Sequence, residues 1–129
     1  SGDMTLTSEF IRRNRDVGFC VFGGKDTLIY SAMCLGAAGG VCTTANFLPK
    51  LVCSIYDSYV AGDMDTAREL QYKLNPIRLA MDLSSFPVAT KDYCNLLGLD
   101  VGCPYLPSLP SEGLGKEALI SALEEANYI

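Results

Sequence analysis

Apolar and polar positions in the first half of the chain form two short apolar runs, each followed by a longer run that is mostly apolar. Short runs bounded by glycine predict strands, and apolar residues at three- and four-residue spacing predict helices. The predicted elements are strand 18–23, helix 26–35, strand 39–44 and helix 46–61. Asp26 and Asn46 are expected to cap the two helices. Two successive strand–helix units indicate a parallel α/β fold.

The rest of the chain is predicted to be helical, apart from an irregular strip with three prolines. The predicted helices are 4–15, capped by Asp3, 64–80, which starts after Asp63, 87–97 and 112–127, and the strip is 99–110. Two strands leave both edges of a parallel sheet unpaired, and such sheets are normally covered on both faces. The pattern therefore predicts the C-terminal portion of a larger α/β protein.

Composition and charge narrow the possible partners. The 129 residues carry 10 basic and 15 acidic side chains, for a net charge of −5, and the basic residues form no stripe that would bind nucleic acid. No apolar run reaches the roughly 18 residues of a membrane span, so we expect neither a membrane helix nor a signal peptide. The chain starts at Ser1 without a methionine, and we therefore expect further sequence upstream.

The cysteine and histidine content limits the disulfides, catalytic nucleophiles and metal sites that the chain could contain. Five cysteines lie in apolar patterns without C-x-x-C spacing, and they are Cys20, Cys34, Cys42, Cys53 and Cys94. We predict that they are free and buried, as in a reducing compartment such as the cytoplasm or the mitochondrial matrix. The sequence has no histidine, which excludes Ser-His-Asp and Cys-His nucleophile systems and most catalytic zinc sites. No metal site is expected.

Six sequence blocks carry a resemblance to a known family. They are Ser1-Gly2-Asp3; Gly23-Gly24-Lys25-Asp26; Leu35-Gly36-Ala37-Ala38-Gly39-Gly40-Val41 leading to Thr44-Ala45-Asn46; Ala61-Gly62-Asp63 with Ala67-Arg68-Glu69-Leu70-Gln71; Pro87-Val88-Ala89-Thr90-Lys91; and Leu97-Gly98-Leu99. In these blocks the chain resembles the C-terminal half of the dihydrodipicolinate synthase / N-acetylneuraminate lyase family of class I aldolases. The resemblance implies the C-terminal part of a (β/α)8 TIM barrel. Residues 1–62 would hold the units of strands seven and eight, and residues 63–129 would be appended C-terminal helices.

The resemblance also implies a pyruvate-dependent aldolase or lyase that acts through a Schiff base. Family members attach pyruvate, or a longer 2-oxo acid, to a lysine on strand six and then make or cleave the neighbouring carbon–carbon bond. That lysine would lie just upstream of Ser1, and the family's catalytic tyrosine lies further upstream. No catalytic residue and no cofactor are therefore expected in this chain. The implied partners are pyruvate or a 2-oxo acid, the N-terminal remainder of the barrel, and further copies of the chain in a dimer or tetramer.

Substrate-binding residues are implied at the ends of strands seven and eight. Gly24 matches the glycine whose main chain faces the substrate, and its missing side chain permits close approach. Val41 matches the apolar residue beside bound pyruvate, and Thr43 matches a further polar contact. Both also have a purely structural interpretation, Val41 as a barrel-interior side chain and Thr43 as a hydroxyl that satisfies main-chain groups.

The turn formed by Lys25, Asp26 and Thr27 is implied to reach the distal part of the substrate. Family members that cleave sugar acids bind hydroxyl groups with this turn. The synthase branch usually reads Gly-Asp-Asp here, so Lys25 is a departure from its pattern, and Cys42 stands where small or hydroxyl residues are common in the family. These departures favour a 2-oxo-3-deoxy acid or 4-hydroxy-2-oxoglutarate type of aldolase over a dihydrodipicolinate synthase-like enzyme.

A function of a different class is also possible, namely a non-catalytic helical binding or oligomerisation module. The expected exposed apolar surface and the missing lysine favour this alternative only if residues 1–129 are made independently. In the aldolase interpretation, residues 1–129 alone are expected to be inactive because the Schiff-base lysine lies elsewhere.

Overall fold

Two short parallel strands and six α-helices make up the part of the chain that the computed structural model describes, residues 2–129. The elements are α1 (Met4–Asn14), β1 (Phe22–Gly23), α2 (Ile29–Cys34), β2 (Gly39–Gly40), α3 (Pro49–Val60), α4 (Met64–Ala80), α5 (Val88–Leu96) and α6 (Gly113–Glu125). Single 3₁₀ turns occur at Arg15–Val17, Asp26–Leu28, Thr43–Asn46 and Met81–Leu83. None of the helices in residues 2–129 is both long enough and apolar enough to cross a membrane.

The sheet confirms the parallel pairing of the two strands but is shorter than predicted. Phe22 lies opposite Gly39, and Gly23 lies opposite Gly40. Two flanking bonds extend the pairing, with the Val41 N–H donating to the carbonyl of Gly23 and the Ala38 N–H to that of Val21, both at 2.8 Å. The predicted strands 18–23 and 39–44 are too long because each has only one neighbour among the described residues, and because residues 43–46 turn into a 3₁₀ helix.

Helix starts agree with the sequence at two positions and disagree at two others. Asp3 caps α1 through a bond from the Leu6 N–H at 2.9 Å, and Asp63 caps α4 through one from the Thr66 N–H at 3.0 Å. Asp26 and Asn46 do not cap α2 and α3, so those two predictions are wrong. Asp26 is the first residue of one 3₁₀ turn and Asn46 is the last residue of another, and the α-helices start only at Ile29 and Pro49.

The hydrophobic core lies among helices α2 to α6 and is centred on α3, α4, α5 and α6. Its largest fully buried side chains are Tyr93, Ile55, Leu74, Ile77, Leu119 and Leu123. Tyr93 stacks on Phe47 with ring centroids 4.7 Å apart, and its hydroxyl donates to the carbonyl of Ile77 at 2.9 Å. Ring stacking and a satisfied hydroxyl let a tyrosine occupy the centre of a core. The helical stripes predicted for residues 46–61, 64–80 and 112–127 are therefore confirmed as core-facing.

The cysteines are less buried than predicted. Cys94 is buried and Cys42 is half-buried, but Cys20, Cys34 and Cys53 are exposed. Cys53 shows the reason. It precedes the buried Ile55 by two residues, and helix positions i and i+2 point about 200° apart, so Cys53 lies on the opposite side of α3. Hydrophobic runs on short helices do not show which cysteines face outward. The prediction of burial is therefore wrong for those three residues.

A side chain at Gly23 would collide with α2, so its replacement should be more destabilising than replacement of its strand partner Gly40. A Cβ atom added there would lie 2.9 Å from the Cβ of Ala32 on α2, whereas one added at Gly40 would lie 3.1 Å from the Cys42 sulfur, which can rotate away. We expect Gly23→Ala to lower the free energy of unfolding by about 1–3 kcal/mol. Gly40→Ala should cost clearly less. Equilibrium urea denaturation of both variants checks this, and equal losses would contradict it.

Candidate functional site

The candidate site is the carboxyl edge of the two strands, where the chain leaves β1 and β2. Gly24 and Val41 follow the paired residues Gly23 and Gly40, and the bond from Val41 to Gly23 keeps these two positions adjacent. Gly24 is exposed, and 71% of Val41 is exposed. The structure thus brings together two positions at which the family resemblance implies contact with the substrate.

Strand alternation tells which way Gly24 faces. The Cβ position of Gly23 points at Ala32 of α2. Because successive strand residues point to opposite faces, Phe22 and Gly24 point away from that helix. Phe22 is 56% exposed on this face. In a closed barrel the face opposite the helices is the interior.

Asp26 joins the two turns that follow the strands. Its Oδ2 accepts hydrogen bonds from the N–H and from the hydroxyl of Thr44, both at 2.7 Å. Asp26 is 2% exposed and Thr44 is fully buried. A carboxylate that accepts two short bonds away from water holds its partners strongly. Asp26 therefore ties the turn after β1 to the turn after β2, and this pair is called the Asp26–Thr44 joint below.

Gln71 of α4 contacts the same turn from the other side, and the sequence analysis assigned it no role. Its Nε2 donates to the main-chain carbonyl of Asp26 at 2.9 Å, and its Oε1 accepts from the N–H of Tyr30 at 3.0 Å. Nε2 also donates to Oδ1 of Asn75 at 2.9 Å. Gln71 is 3% exposed. The sequence carries no local signal for these contacts, because the partners are more than forty residues apart.

Lys25, Thr27 and Thr43 lie half-buried around the joint. Among residues 2–129, the side chains of Lys25 and Thr27 make no hydrogen bond or ion pair. Thr43 lines a cavity of about 130 Å³ together with Arg78 and Phe86. The structure therefore leaves the Lys25 ammonium and two hydroxyls near the carboxyl edge, where a substrate could reach them.

Cys42 lies between Val41 and the joint but is not poised for thiol chemistry. Burial raises the pKa of its thiol to about 12, and the nearby Asp26 carboxylate adds to this shift. At neutral pH the side chain therefore stays protonated, and a protonated thiol is a poor nucleophile and metal ligand. Within the described residues, no group of three or more His, Cys, Asp or Glu side chains could hold a metal ion.

Parallel strand–helix units with polar turns at their carboxyl edge occur in (β/α)8 barrels and in open α/β sheets. A family model described as the dihydrodipicolinate synthetase family matches residues 1–126. The chain belongs to this family. Its fold is the C-terminal part of the family's TIM barrel with helix-rich additions, which confirms both the resemblance and the predicted fold class.

Named relatives and a solved structure agree with this assignment. The chain is 32% identical over 125 residues to the 4-hydroxy-tetrahydrodipicolinate synthase of Thermoanaerobacter sp. (strain X514), covering 97% of this chain and 42% of the relative. It is 35% identical over 107 residues to the enzyme of the same name from Methanoculleus marisnigri, covering 83% and 37%. The chloride-inhibited dihydrodipicolinate synthase of Acinetobacter baumannii, solved in complex with pyruvate, superposes with a TM-score of 0.89 at 27% identity and covers 100% of this chain and 44% of that one. The chain thus spans less than half the length of these relatives.

Proposed function

We propose that residues 1–129 are the C-terminal part of a pyruvate-dependent class I aldolase or synthase, whose Schiff-base lysine lies on a strand upstream. The observation that carries the proposal is the adjacency of Gly24 and Val41 at the carboxyl edge, in a chain that belongs to this family. Active sites of (β/α)8 barrels lie at that edge. The pyruvate complex of the Acinetobacter baumannii relative supports pyruvate as the first substrate.

The proposed chemistry assigns the bond-making steps to residues outside this chain. A lysine amine condenses with the 2-oxo group of pyruvate and releases water, and loss of a proton from the methyl carbon then gives an enamine. The enamine carbon attacks the carbonyl of a second substrate, or the same bond is cleaved in the reverse direction. In this scheme Gly24 and Val41 form the wall beside pyruvate.

The turn after β1 is proposed to contact the second substrate. The side chains of Lys25 and Thr27 make no hydrogen bond or ion pair with any described residue, and Thr43 adds a hydroxyl from the neighbouring turn. Asp26 is buried with Oδ2 held by Thr44, so its first role in the proposal is to fix this turn. Direct contact between Asp26 and substrate stays a prediction.

Two substrate classes have specific support. The name 4-hydroxy-tetrahydrodipicolinate synthase, which the relatives bear, favours a synthase reaction. The cation of Lys25 favours a second substrate with hydroxyl or anionic groups, such as a 2-oxo-3-deoxy acid or 4-hydroxy-2-oxoglutarate. The family match over residues 1–126 supports either enzyme over a non-catalytic helical module.

The surroundings of the site are part of the same proposal. Residues 1–62 would complete a barrel with its N-terminal half, and residues 63–129 would pack helices against it. Assembly into a dimer or tetramer and a location in a reducing compartment stay predictions.

Trapping with borohydride tests the proposed function. The complete barrel, meaning a protein with residues 1–129 and the upstream half, should gain one reduced pyruvate adduct per chain on an upstream lysine. Residues 1–129 alone should gain none, because Lys25 and the other lysines lack the buried environment that activates an amine. Intact mass followed by peptide mapping measures both results. A complete barrel without an adduct, or a stoichiometric adduct on Lys25, would overturn the assignment.

A further inference from the structure

We propose that Gln71 is a positioning residue for the site, because its side-chain amide replaces a main-chain bond and so sets the direction of the turn that carries Lys25, Asp26 and Thr27. This inference rests on the proposed function for its catalytic consequence. Its structural part stands on the contacts of Gln71 alone.

The contacts of Gln71 have the geometry of an insertion into a helix. In an α-helix each N–H donates to the carbonyl four residues earlier, so a helix that began near Asp26 would bond the Tyr30 N–H to the Asp26 carbonyl. Here Gln71 stands between these two groups, donating to the Asp26 carbonyl at 2.9 Å and accepting from Tyr30 at 3.0 Å. A side chain inserted into the helical ladder is a known cause of a break in a helix.

This insertion explains why α2 starts late. The sequence predicts a helix over residues 26–35, but residues 26–28 form a 3₁₀ turn and α2 begins at Ile29. Leu28, the residue before α2, provides no side-chain cap. Gln71 supplies the missing acceptor from α4, so α2 is capped by a residue 41 positions away from Tyr30.

The insertion also frees the Asp26 side chain for the joint. Because residues 26–28 do not continue the helix, the Asp26 carboxylate points to Thr44 and accepts both of its bonds at 2.7 Å. Lys25 and Thr27 flank Asp26 on this turn, so their direction follows from the same bonds. Gln71 is 3% exposed, and water therefore cannot easily replace its amide.

Removing the amide should lengthen α2 rather than leave the two main-chain groups without partners. In Gln71→Met, a side chain of similar volume has no donor and only a weakly accepting thioether sulfur, so the Tyr30 N–H can bond the Asp26 carbonyl directly. A crystal structure of the variant complete barrel should show α2 starting near Asp26 and the Asp26–Thr44 joint broken. If Asp26 Oδ2 still accepts both Thr44 bonds, the inference is wrong.

A comparison of pyruvate trapping with kcat/KM for cleavage separates a positioning role of Gln71 from a purely structural one. In Gln71→Met we expect borohydride trapping of pyruvate at the level of the unchanged barrel, because the lysine lies on a different strand. The kcat/KM for cleavage of 4-hydroxy-2-oxoglutarate should fall at least about tenfold, since small displacements of a positioning group cost that much or more. Equal loss of trapping and cleavage would point to general damage and would contradict a positioning role.

Asn75→Ala is the matched control on the same helix. Among residues 2–129 the Asn75 side chain hydrogen-bonds only to Nε2 of Gln71, so this variant should keep both main-chain bonds of Gln71. Its structure and its kcat/KM should stay within about twofold of the unchanged barrel, a change of less than about 0.5 kcal/mol. Absence of a pyruvate adduct in the unchanged barrel would overturn the proposed function, while the crystal structure would still decide the role of Gln71.

Discussion

Asp26→Ala should lower the free energy of unfolding of the complete barrel by about 2–4 kcal/mol. The substitution leaves the buried N–H and hydroxyl of Thr44 without the carboxylate oxygen that both contact at 2.7 Å. Bonds to a charged group contribute more than neutral ones, and buried donors without partners carry the full cost of desolvation. Urea denaturation monitored by circular dichroism measures the effect.

Asp26→Asn is the control for this prediction, because it keeps an oxygen that can accept from Thr44 but removes the charge. We expect it to lose about half as much stability as Asp26→Ala.

The kinetics of the two variants separate two possible roles of Asp26. Equal losses of kcat/KM with all substrates identify Asp26 as a residue that fixes the turn, whereas losses confined to hydroxylated substrates identify a direct ligand. A fully stable Asp26→Ala variant would show that the Asp26–Thr44 joint does not stabilise the fold.

Gly24→Val should reduce turnover of the complete barrel by about a hundredfold or more while leaving its stability nearly unchanged. Gly24 is exposed, and strand alternation points its Cβ position away from α2, so we expect an isopropyl group there to occupy space at the carboxyl edge. Displacing a substrate by about 1 Å is enough for a loss of this size.

Gly24→Ala provides the graded control, with a smaller group and a smaller expected loss. Steady-state kinetics and thermal melting of both variants measure the two effects. Normal turnover in Gly24→Val would show that Gly24 does not line the substrate site. A large fall in melting temperature would instead show that the position has a structural role.

The sequence predicted helices well where their signals are local. Helix α4 has the predicted bounds. Asp63 caps it by accepting a hydrogen bond from the N–H of Thr66, three positions later, and the apolar stripe that includes Leu74 faces the core. Strand lengths were overestimated for a different reason. A strand extends only as far as its neighbours pair with it, and β1 and β2 have one neighbour each among the described residues.

Candidate-site residues on the turns were found by resemblance, but the interactions that hold them were not. Asp26 was assigned to a helix cap because a cap is the nearest use for an aspartate before an apolar run. Its actual partner, Thr44, is 18 residues away, and Gln71 reaches the Asp26 carbonyl from 45 residues away. Each pair joins two different elements of the fold, so the period of any single helix or strand could not have linked these residues.

The Asp26–Thr44 joint has a consequence for how such a site can diversify. The joint uses the carboxylate of Asp26, and Gln71 holds the turn through main-chain groups of Asp26 and Tyr30. The neighbouring Lys25 and Thr27 contribute no side-chain bond to this framework. If these two residues contact the substrate as proposed, mutations there should change which substrate is preferred without weakening the scaffold. Under that proposal, substitutions that alter substrate preference are tolerated at Lys25 and Thr27, whereas the two bonds to Thr44 constrain Asp26.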